Sequence, residues 1–242
     1  MRPTPRLRIA LVCPLVLCFI CLNFLTGCAA TIKYSFDKAP ARLKPFPYHA
    51  IVSIEDARSV YEREGVFEDS AGEKVYTKDK DFKPDVPVQI ASTLAGHLRA
   101  AKLFESVTVQ TFPADVISNE EAIQGLASQG VDLAIIGRLK HFYGYQTEPN
   151  RAFSMAGAFG GAIGGAAAAI AEMLVNPKTV GGKVTYGPVR VVDVRRKQVL
   201  WEEEVEASFE RKEKFYKGQV AYALQALKEA NQELVKRLNE RL

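Results

Sequence analysis

All four cysteines, the residues best suited to covalent chemistry, lie within the first 28 positions of the 242-residue chain. The last, Cys28, follows an apolar run from Ile9 to Leu25 and two small residues, and three arginines precede the run. This layout is typical of a secretory signal peptide, and a run of 17 residues is at the short edge of what a transmembrane anchor needs. We therefore predict a signal peptide over residues 1–27. The other three cysteines would leave with it: Cys13, Cys18 and Cys21.

The residues just before Cys28 add a more specific signal. Leu25-Thr26-Gly27-Cys28 resembles the lipobox of bacterial lipoproteins. The resemblance implies cleavage between Gly27 and Cys28, then acylation of the Cys28 sulfur and of the new amine. Several acyl chains anchor a protein far more firmly than one, because each buried methylene contributes about 0.8 kcal/mol. Ala29, where an aspartate would favour retention in the inner membrane, implies an outer-membrane lipoprotein with its domain on the periplasmic face.

The charge balance argues against a nucleic-acid partner. The whole chain has 32 basic and 28 acidic residues, a formal net charge of +4. Because residues 1–27 hold three arginines and no acid, the mature chain keeps 29 basic and 28 acidic residues. Such a domain lacks the large excess of cations that is typical of nucleic-acid binding. With 48% hydrophobic and 25% charged residues, the composition and length are those of one globular domain.

A glycine- and alanine-rich segment at residues 153–175 is the most unusual stretch of the mature chain. Its glycines recur at a spacing of four, which on a helix leaves one face nearly bare and lets another backbone approach closely. The segment could pack on its own domain, drive self-association or membrane contact as a glycine zipper, or be disordered. The residues that we single out for self-association or membrane contact are Gly157, Gly160, Gly161, Gly164 and Gly165.

The sequence lacks the motifs of nucleotide, metal and catalytic sites. Around Gly182-Lys183 the first glycine of a P-loop is replaced by Pro177 and its last Ser or Thr by Val184. Residues 160–165 have the wrong glycine spacing for a dinucleotide-binding fingerprint. The three histidines lack the spacing of a zinc site: His49, His97 and His141. We therefore expect no nucleotide, no metal and no catalytic residue, with the lipid on Cys28 as the only attached group.

Several polar and aromatic residues have structural explanations that we favour. We expect His97 to be a partly exposed residue beside the apolar stripe of a helix. His141 could be a base in a cleft, but we expect it to pack among neighbouring aromatic residues. Residues 202–204 are three glutamates, which could pair as catalytic carboxylates but fit a solvated strand edge that resists aggregation better. Four aromatic residues either complete the core or form a belt at a membrane interface: Phe142, Tyr143, Tyr145 and Phe153.

Apolar periodicity predicts the elements that would position these residues. Short apolar runs predict strands, and stripes at helical spacing predict a helix starting near residue 87, a short helix ending at residue 130 and a long C-terminal helix. Residues 28–48 contain three prolines and four basic residues, which predicts a solvated tether behind the lipidated cysteine. Over residues 49–242 we predict an α/β domain with a mixed sheet of about five strands, two to three helices and the Gly/Ala insertion.

Two segments carry a resemblance to a known group. DLAIIGRLKHF (132–142) and VRVVDVRRKQVLWEEEV (189–205) resemble a strand and the following hairpin of periplasmic lipoproteins with a TolB N-terminal-like fold. This group includes YajG-like lipoproteins, the curli-secretion channel lipoprotein and auxiliary lipoproteins of envelope transporters. The resemblance implies a non-catalytic accessory or assembly protein of the envelope, which acts through protein contact or self-association. An oligomeric pore or export subunit is the alternative, and an envelope hydrolase is a remote one.

Overall fold

A mixed β-sheet of six strands forms the centre of the domain. The computed structural model describes residues 30–32, 43–67, 74–116, 119–147, 177–214 and 217–242. The strands are β1 (Phe46–Asp56), β2 (Lys74–Tyr76), β3 (Phe104–Val109), β4 (Leu133–Thr147), β5 (Lys178–Asp193) and β6 (Gln198–Glu213). The helices are α1 (Val60–Arg63), α2 (Val86–Ala100), α3 (Glu120–Ser128) and α4 (Gln219–Arg241), with a 3-10 turn at Asp79–Asp81.

The strand order is β3-β1-β4-β5-β6, and β2 pairs with the end of β4. β1 is parallel to β3 and β4, since helices return the chain between these strands. β4, β5 and β6 follow one another antiparallel. The predicted α/β domain with a mixed sheet is therefore confirmed. The sheet has six strands rather than about five because residues 74–76, in a charged stretch without apolar periodicity, pair with β4.

Two hydrophobic cores cover the two faces of the sheet. On one face α2 and α4 pack over the larger core, which includes Leu94, Leu139 and Leu227. On the other face a smaller core joins residues of α3 to β4 and β5, and it includes Ile123 and Ile136. The outer half of β4, beyond its pairing with β1 at Leu139, extends past this smaller core.

Two glycines let α4 lie directly on the backbone of the sheet. A Cβ atom at Gly144 of β4 would overlap the carbonyl oxygen of Gln219, at the start of α4. A Cβ atom at Gly182 of β5 would lie 2.5 Å from the carbonyl oxygen of Tyr222. Gly144 and Gly182 are opposite one another in the β4–β5 ladder, so they form one flat patch under the first turns of α4.

The prediction of a partly exposed His97 is wrong. His97 is 1% exposed and lies on α2 seven residues after the fully buried Ile90. Residues seven apart share a helix face, so this spacing could have identified the residue as buried. Burial lowers the pKa of His97 to about 4 because the charged imidazolium is poorly solvated there.

The buried His97 makes the domain less stable in mild acid. The unfolded chain takes up a proton near pH 6.5, whereas folded His97 resists protonation until about pH 4, so stability falls as the pH drops between these values. Between pH 7 and pH 5 this residue removes about 2 kcal/mol of unfolding free energy. Urea titrations at both pH values should show a smaller loss for His97→Gln than for the unsubstituted chain. Equal losses in the two proteins would contradict this assignment.

Candidate functional site

The chain just after Cys28 is attached to the folded domain. The backbone N–H of Ala30 donates to the carbonyl oxygen of Asp81 at 2.8 Å, and that of Lys83 donates to the carbonyl oxygen of Ala30 at 2.9 Å. These bonds form a parallel bridge between Ala30 and Phe82. The backbone N–H of Ile32 donates to Gln89 Oε1 at 3.0 Å, and the Ile32 side chain is buried in the larger core.

This attachment concerns part of the predicted tether. Within residues 28–48, Ala30 and Ile32 pack against the domain and β1 begins at Phe46, while residues 33–42 lie outside the described residues. The physical reason is that Ile32 supplies an apolar side chain to the core. In addition, the backbone groups of Ala30 and Ile32 form hydrogen bonds with residues at and just before the start of α2. Two residues of extended chain span at most about 7 Å. In the sequence, Cys28 precedes Ala30 by two residues.

A buried arginine, Arg58, links the end of β1 to the turn that precedes the contact with Ala30. The side chain of Arg58 is 2% exposed and follows the end of β1. It donates to both oxygens of Asp56, each at 2.9 Å, and to both oxygens of Asp79, at 2.8 and 3.1 Å. Burial lowers the pKa of Arg58, but the hydrogen bonds and the charges of Asp56 and Asp79 outweigh it and raise the pKa overall. The end of β1 is thus joined to the turn that leads to Asp81.

Glu62 attaches α1 to the outer half of β4. One of its carboxylate oxygens accepts from the backbone N–H of Phe142 at 2.8 Å, and the other lies 2.8 Å from Nδ1 of His141. Ser59 caps the single turn of α1 by accepting from the backbone N–H of Glu62 at 3.1 Å. Glu62 is buried, so both of its oxygens fix α1 in place beside the sheet. His141 does pack against aromatic Tyr143, as expected, but its polar partner Glu62 was not predicted.

An aromatic cluster lies further along β4 and beside β2. The rings of Phe67 and Tyr76 stack with their centroids 3.9 Å apart, and Tyr143 meets both edge-on. Tyr145 packs against Tyr76 and hydrogen-bonds to Glu210 on β6. Burial and the bond to Glu210 raise the pKa of Tyr145, so its hydroxyl keeps its proton. Tyr145 and Phe142 are buried, which fits the expectation that the aromatic residues complete the core.

The three glutamates of β6 pair with cations on three different elements. Lys140 of β4 bonds to Glu204 of β6 over Gly187, where a Cβ atom would collide with the glutamate. Glu203 pairs with Arg237 of α4 at 3.0 Å, and Glu202 pairs with Arg190 of β5 at 3.1 Å. The three glutamates therefore lie on an edge strand in ion pairs with separate cations, and they do not form a carboxylate pair.

The residues predicted for signal cleavage, lipidation and self-association lie outside the described residues. This holds for the predicted signal peptide, for Gly27 and Cys28, for Phe153 and for the five glycines at 157–165. Their roles stay predictions. The strands that flank the Gly/Ala segment are described: β4 ends at Thr147 and β5 begins at Lys178. Both ends belong to the outer half of the β4–β5 pair, the half in which Phe142 contacts Phe82 beside Ala30.

Membrane-spanning helices and metal sites can be assessed for the described ranges only. No helix there is both long enough and apolar enough to cross a membrane. Within the same ranges no group of three histidine, cysteine, aspartate or glutamate side chains could hold a metal ion.

No protein-family model and no curated protein matches the chain. Similar solved structures include the PelC dodecamer from Paraburkholderia phytofirmans, at 17% identity over 84% of this chain and 94% of that one, with a TM-score of 0.37. The DUF330 protein XCC0632 from Xanthomonas campestris matches at 7% identity over 85% and 89%, with a TM-score of 0.38. Lipoprotein GNA1162 from Neisseria meningitidis matches at 13% over 80% and 99%, with a TM-score of 0.33. At these identities and scores the likenesses support no conclusion about function.

Proposed function

We propose that this chain is a lipid-anchored accessory or assembly protein of the bacterial envelope. In this proposal Cys28 carries the lipid, the anchor lies in the outer membrane, and the domain works from the periplasmic face. The domain binds an envelope protein or further copies of itself and performs no catalysis. The lipobox-like residues 25–28 support the anchor, and the nearly neutral charge of the mature chain fits a protein partner better than a nucleic acid.

The attachment of Ala30 and Ile32 is the observation that carries the proposal. A lipidated cysteine at the end of a long flexible tether would leave the orientation of its domain, and its height above the bilayer, free. Here the core begins four residues after Cys28, with Ile32, and the backbone is fixed at Ala30. An anchor so close to a folded core holds one particular side of the domain at the membrane.

The polar contacts around His141 favour a structural role over a catalytic one. A catalytic histidine needs a carboxylate that orients it and a nucleophile or substrate on its other side. Glu62 contacts His141 with one carboxylate oxygen and accepts from the backbone N–H of Phe142 with the other. The carboxylate therefore joins α1 to β4, and His141 caps this junction at the surface.

Replacement of Cys28 tests the anchor. We expect Cys28→Ser to abolish palmitate labelling and to move the protein from the membrane fraction to the soluble periplasm, or to leave it as an uncleaved precursor. Cys21→Ser is the matched control, because this cysteine lies inside the predicted signal peptide and should leave labelling unchanged. Continued labelling of Cys28→Ser would contradict the proposal.

The second candidate is an oligomeric pore or export subunit that uses the Gly/Ala segment for membrane contact. The observation in its favour is where the Gly/Ala segment leaves and re-enters the sheet, at Thr147 of β4 and Lys178 of β5. These strand ends belong to the outer half of the β4–β5 pair, the half in which Phe142 contacts Phe82 beside Ala30. This candidate predicts a ring of many copies that survives mild detergent. A monomer or dimer extracted from membranes, measured by light scattering, supports the accessory protein instead.

A further inference from the structure

Three large apolar side chains are exposed on α1 and in the turn that follows it. Val60 and Tyr61 on the helix are 56% and 69% exposed, and Val66 just after it is 54% exposed. Most other large apolar side chains of the described domain are buried or half-buried. Neighbouring exposed apolar residues on a surface mark a site of contact with a protein, a ligand or a membrane. We refer to Val60, Tyr61 and Val66 as the α1 patch.

The α1 patch lies beside the attachment point of the anchor. Val60 lines an open cleft together with Lys78, Asp79 and Lys80. The next residue, Asp81, accepts the backbone N–H of Ala30 at 2.8 Å. Val60, the cleft and Ala30 therefore lie in one region of the domain, and Tyr61 and Val66 are joined to that region through α1 and the turn after it.

The polar groups of this side suit the head groups of a bilayer. Arg63, Lys78 and Lys80 line the cleft and can contact lipid phosphates, while Glu64 and Asp79 lie among them. Asp79 shares the single positive charge of Arg58 with Asp56, so its negative charge is only partly offset. Arg63 has a buried Nε atom that lacks a hydrogen-bond partner in this structure. A surface with apolar tips, a tyrosine and long cationic side chains is the composition found at membrane interfaces.

The patch is presented rigidly, which distinguishes it from a mobile loop. Glu62, between Tyr61 and Arg63, is fixed to Phe142 and His141 of β4. The backbone of Val66 donates to the carbonyl oxygen of Tyr61 at 2.8 Å, which closes the turn after α1. The backbone that carries the three apolar side chains is therefore fixed relative to the sheet.

We infer that the α1 patch lies against the head-group region of the membrane that holds the lipid on Cys28. This inference rests on the proposed anchor, because it is the two-residue link from Cys28 to Ala30 that places this side of the domain at the bilayer. The patch inserts its apolar tips between head groups, and the cations of the cleft contact lipid phosphates. Anchor and patch together fix the orientation of the domain, so the turn between β5 and β6 faces away from the membrane.

Single-cysteine labelling tests the inference, since the predicted mature chain has no cysteine other than the acylated Cys28. The lipidated full-length protein is placed in vesicles of phosphatidylethanolamine and phosphatidylglycerol, with an environment-sensitive dye on Tyr61→Cys or Val66→Cys. Arg196→Cys is the matched control: its side chain is 77% exposed in the β5–β6 turn, which bonds to residue 132 at the start of β4. Lipids that carry a quencher near the head group report which dye is close to the bilayer.

We expect quenching several-fold greater at residues 61 and 66 than at residue 196, at every protein-to-lipid ratio. If the vesicles carry the protein but all three positions are quenched equally little, the inference is overturned and the anchor stands. If the dye at residue 61 becomes less accessible to the quencher-bearing lipids as the protein density rises, a second copy covers the α1 patch. That result also overturns the inference. A protein with Cys28 intact that fails to float with the vesicles overturns both the inference and the proposed anchor.

Discussion

Gly144→Val should lower the free energy of unfolding by about 3 kcal/mol or prevent folding altogether. Any Cβ atom at this position would overlap the carbonyl oxygen of Gln219 and lie 2.5 Å from the backbone nitrogen of Ala223. Both atoms belong to the backbone of α4, so no side-chain rotation can relieve the collision. The whole helix would have to lift from the sheet, which would open the core around Leu227.

Urea denaturation followed through the fluorescence of Trp201, the only tryptophan, measures this effect. Gly125→Ala is the matched control, because Gly125 lies within α3 and a Cβ atom there meets nothing within 4 Å. We expect that variant to be more stable than the unsubstituted chain by about 0.5–1 kcal/mol, the usual difference between alanine and glycine in a helix. Unchanged stability in Gly144→Val would show that α4 does not lie on β4 as described.

Arg58→Ala should cost about 3 kcal/mol, which is typical of removing one partner from a buried ion pair. The substitution leaves Asp56 and Asp79 facing each other without their shared cation. It also releases the end of β1 from the turn that contacts Ala30. The loss should appear in urea denaturation and, because the turn loosens, as faster proteolysis near residue 30.

Arg195→Ala serves as the comparison for Arg58→Ala. Arg195 also pairs with an aspartate, Asp132 at 2.7 Å, but its side chain is 73% exposed. An exposed pair contributes at most about 1 kcal/mol because water screens both charges. Equal losses for the two variants would mean that Arg58 is not the buried brace that the structure describes.

The regular helices and strands were predictable because the buried side chains of each element are apolar and recur at the period of that element. The apolar run at 132–137 forms the start of β4, and the stripe around Leu94 and Leu98 forms the buried face of α2. The C-terminal stripe forms α4, with Asn231 accommodated in the core by a 2.8 Å hydrogen bond from the hydroxyl of Tyr186. In each case several residues repeat the same signal, so one polar exception does not hide it.

The candidate site was not predictable, because its parts are short and come from distant positions. Ile32 alternates with Tyr34 and Phe36 in a stretch that also holds Lys33 and Lys38, and so short a pattern does not indicate that Ile32 joins the core beside α2. α1 has only one turn and is set by Glu62 reaching β4, about 80 positions away. The roles of Gly144 and Gly182 depend on the approach of α4, which sequence spacing does not show.

The predictions on residues 1–28 and on the Gly/Ala segment have a different basis. They come from motif and composition, and they concern chemistry and membrane contact that backbone geometry does not encode. Residues 1–28 are linked to the described fold by sequence, because Cys28 comes two positions before Ala30. The Gly/Ala segment is linked to it by the flanking strand ends at Thr147 and Lys178.

The mass of the N-terminal peptide of the protein purified from membranes tests the central claim most directly. We expect a chain that begins at Cys28 and carries lipid on its sulfur and an acyl chain on its amine. Its mass should exceed that of the unmodified peptide by the mass of these groups. A mature protein that begins elsewhere, or that retains an unmodified Cys28 in the membrane fraction, would contradict the claim that lipid at this residue holds the domain at the bilayer.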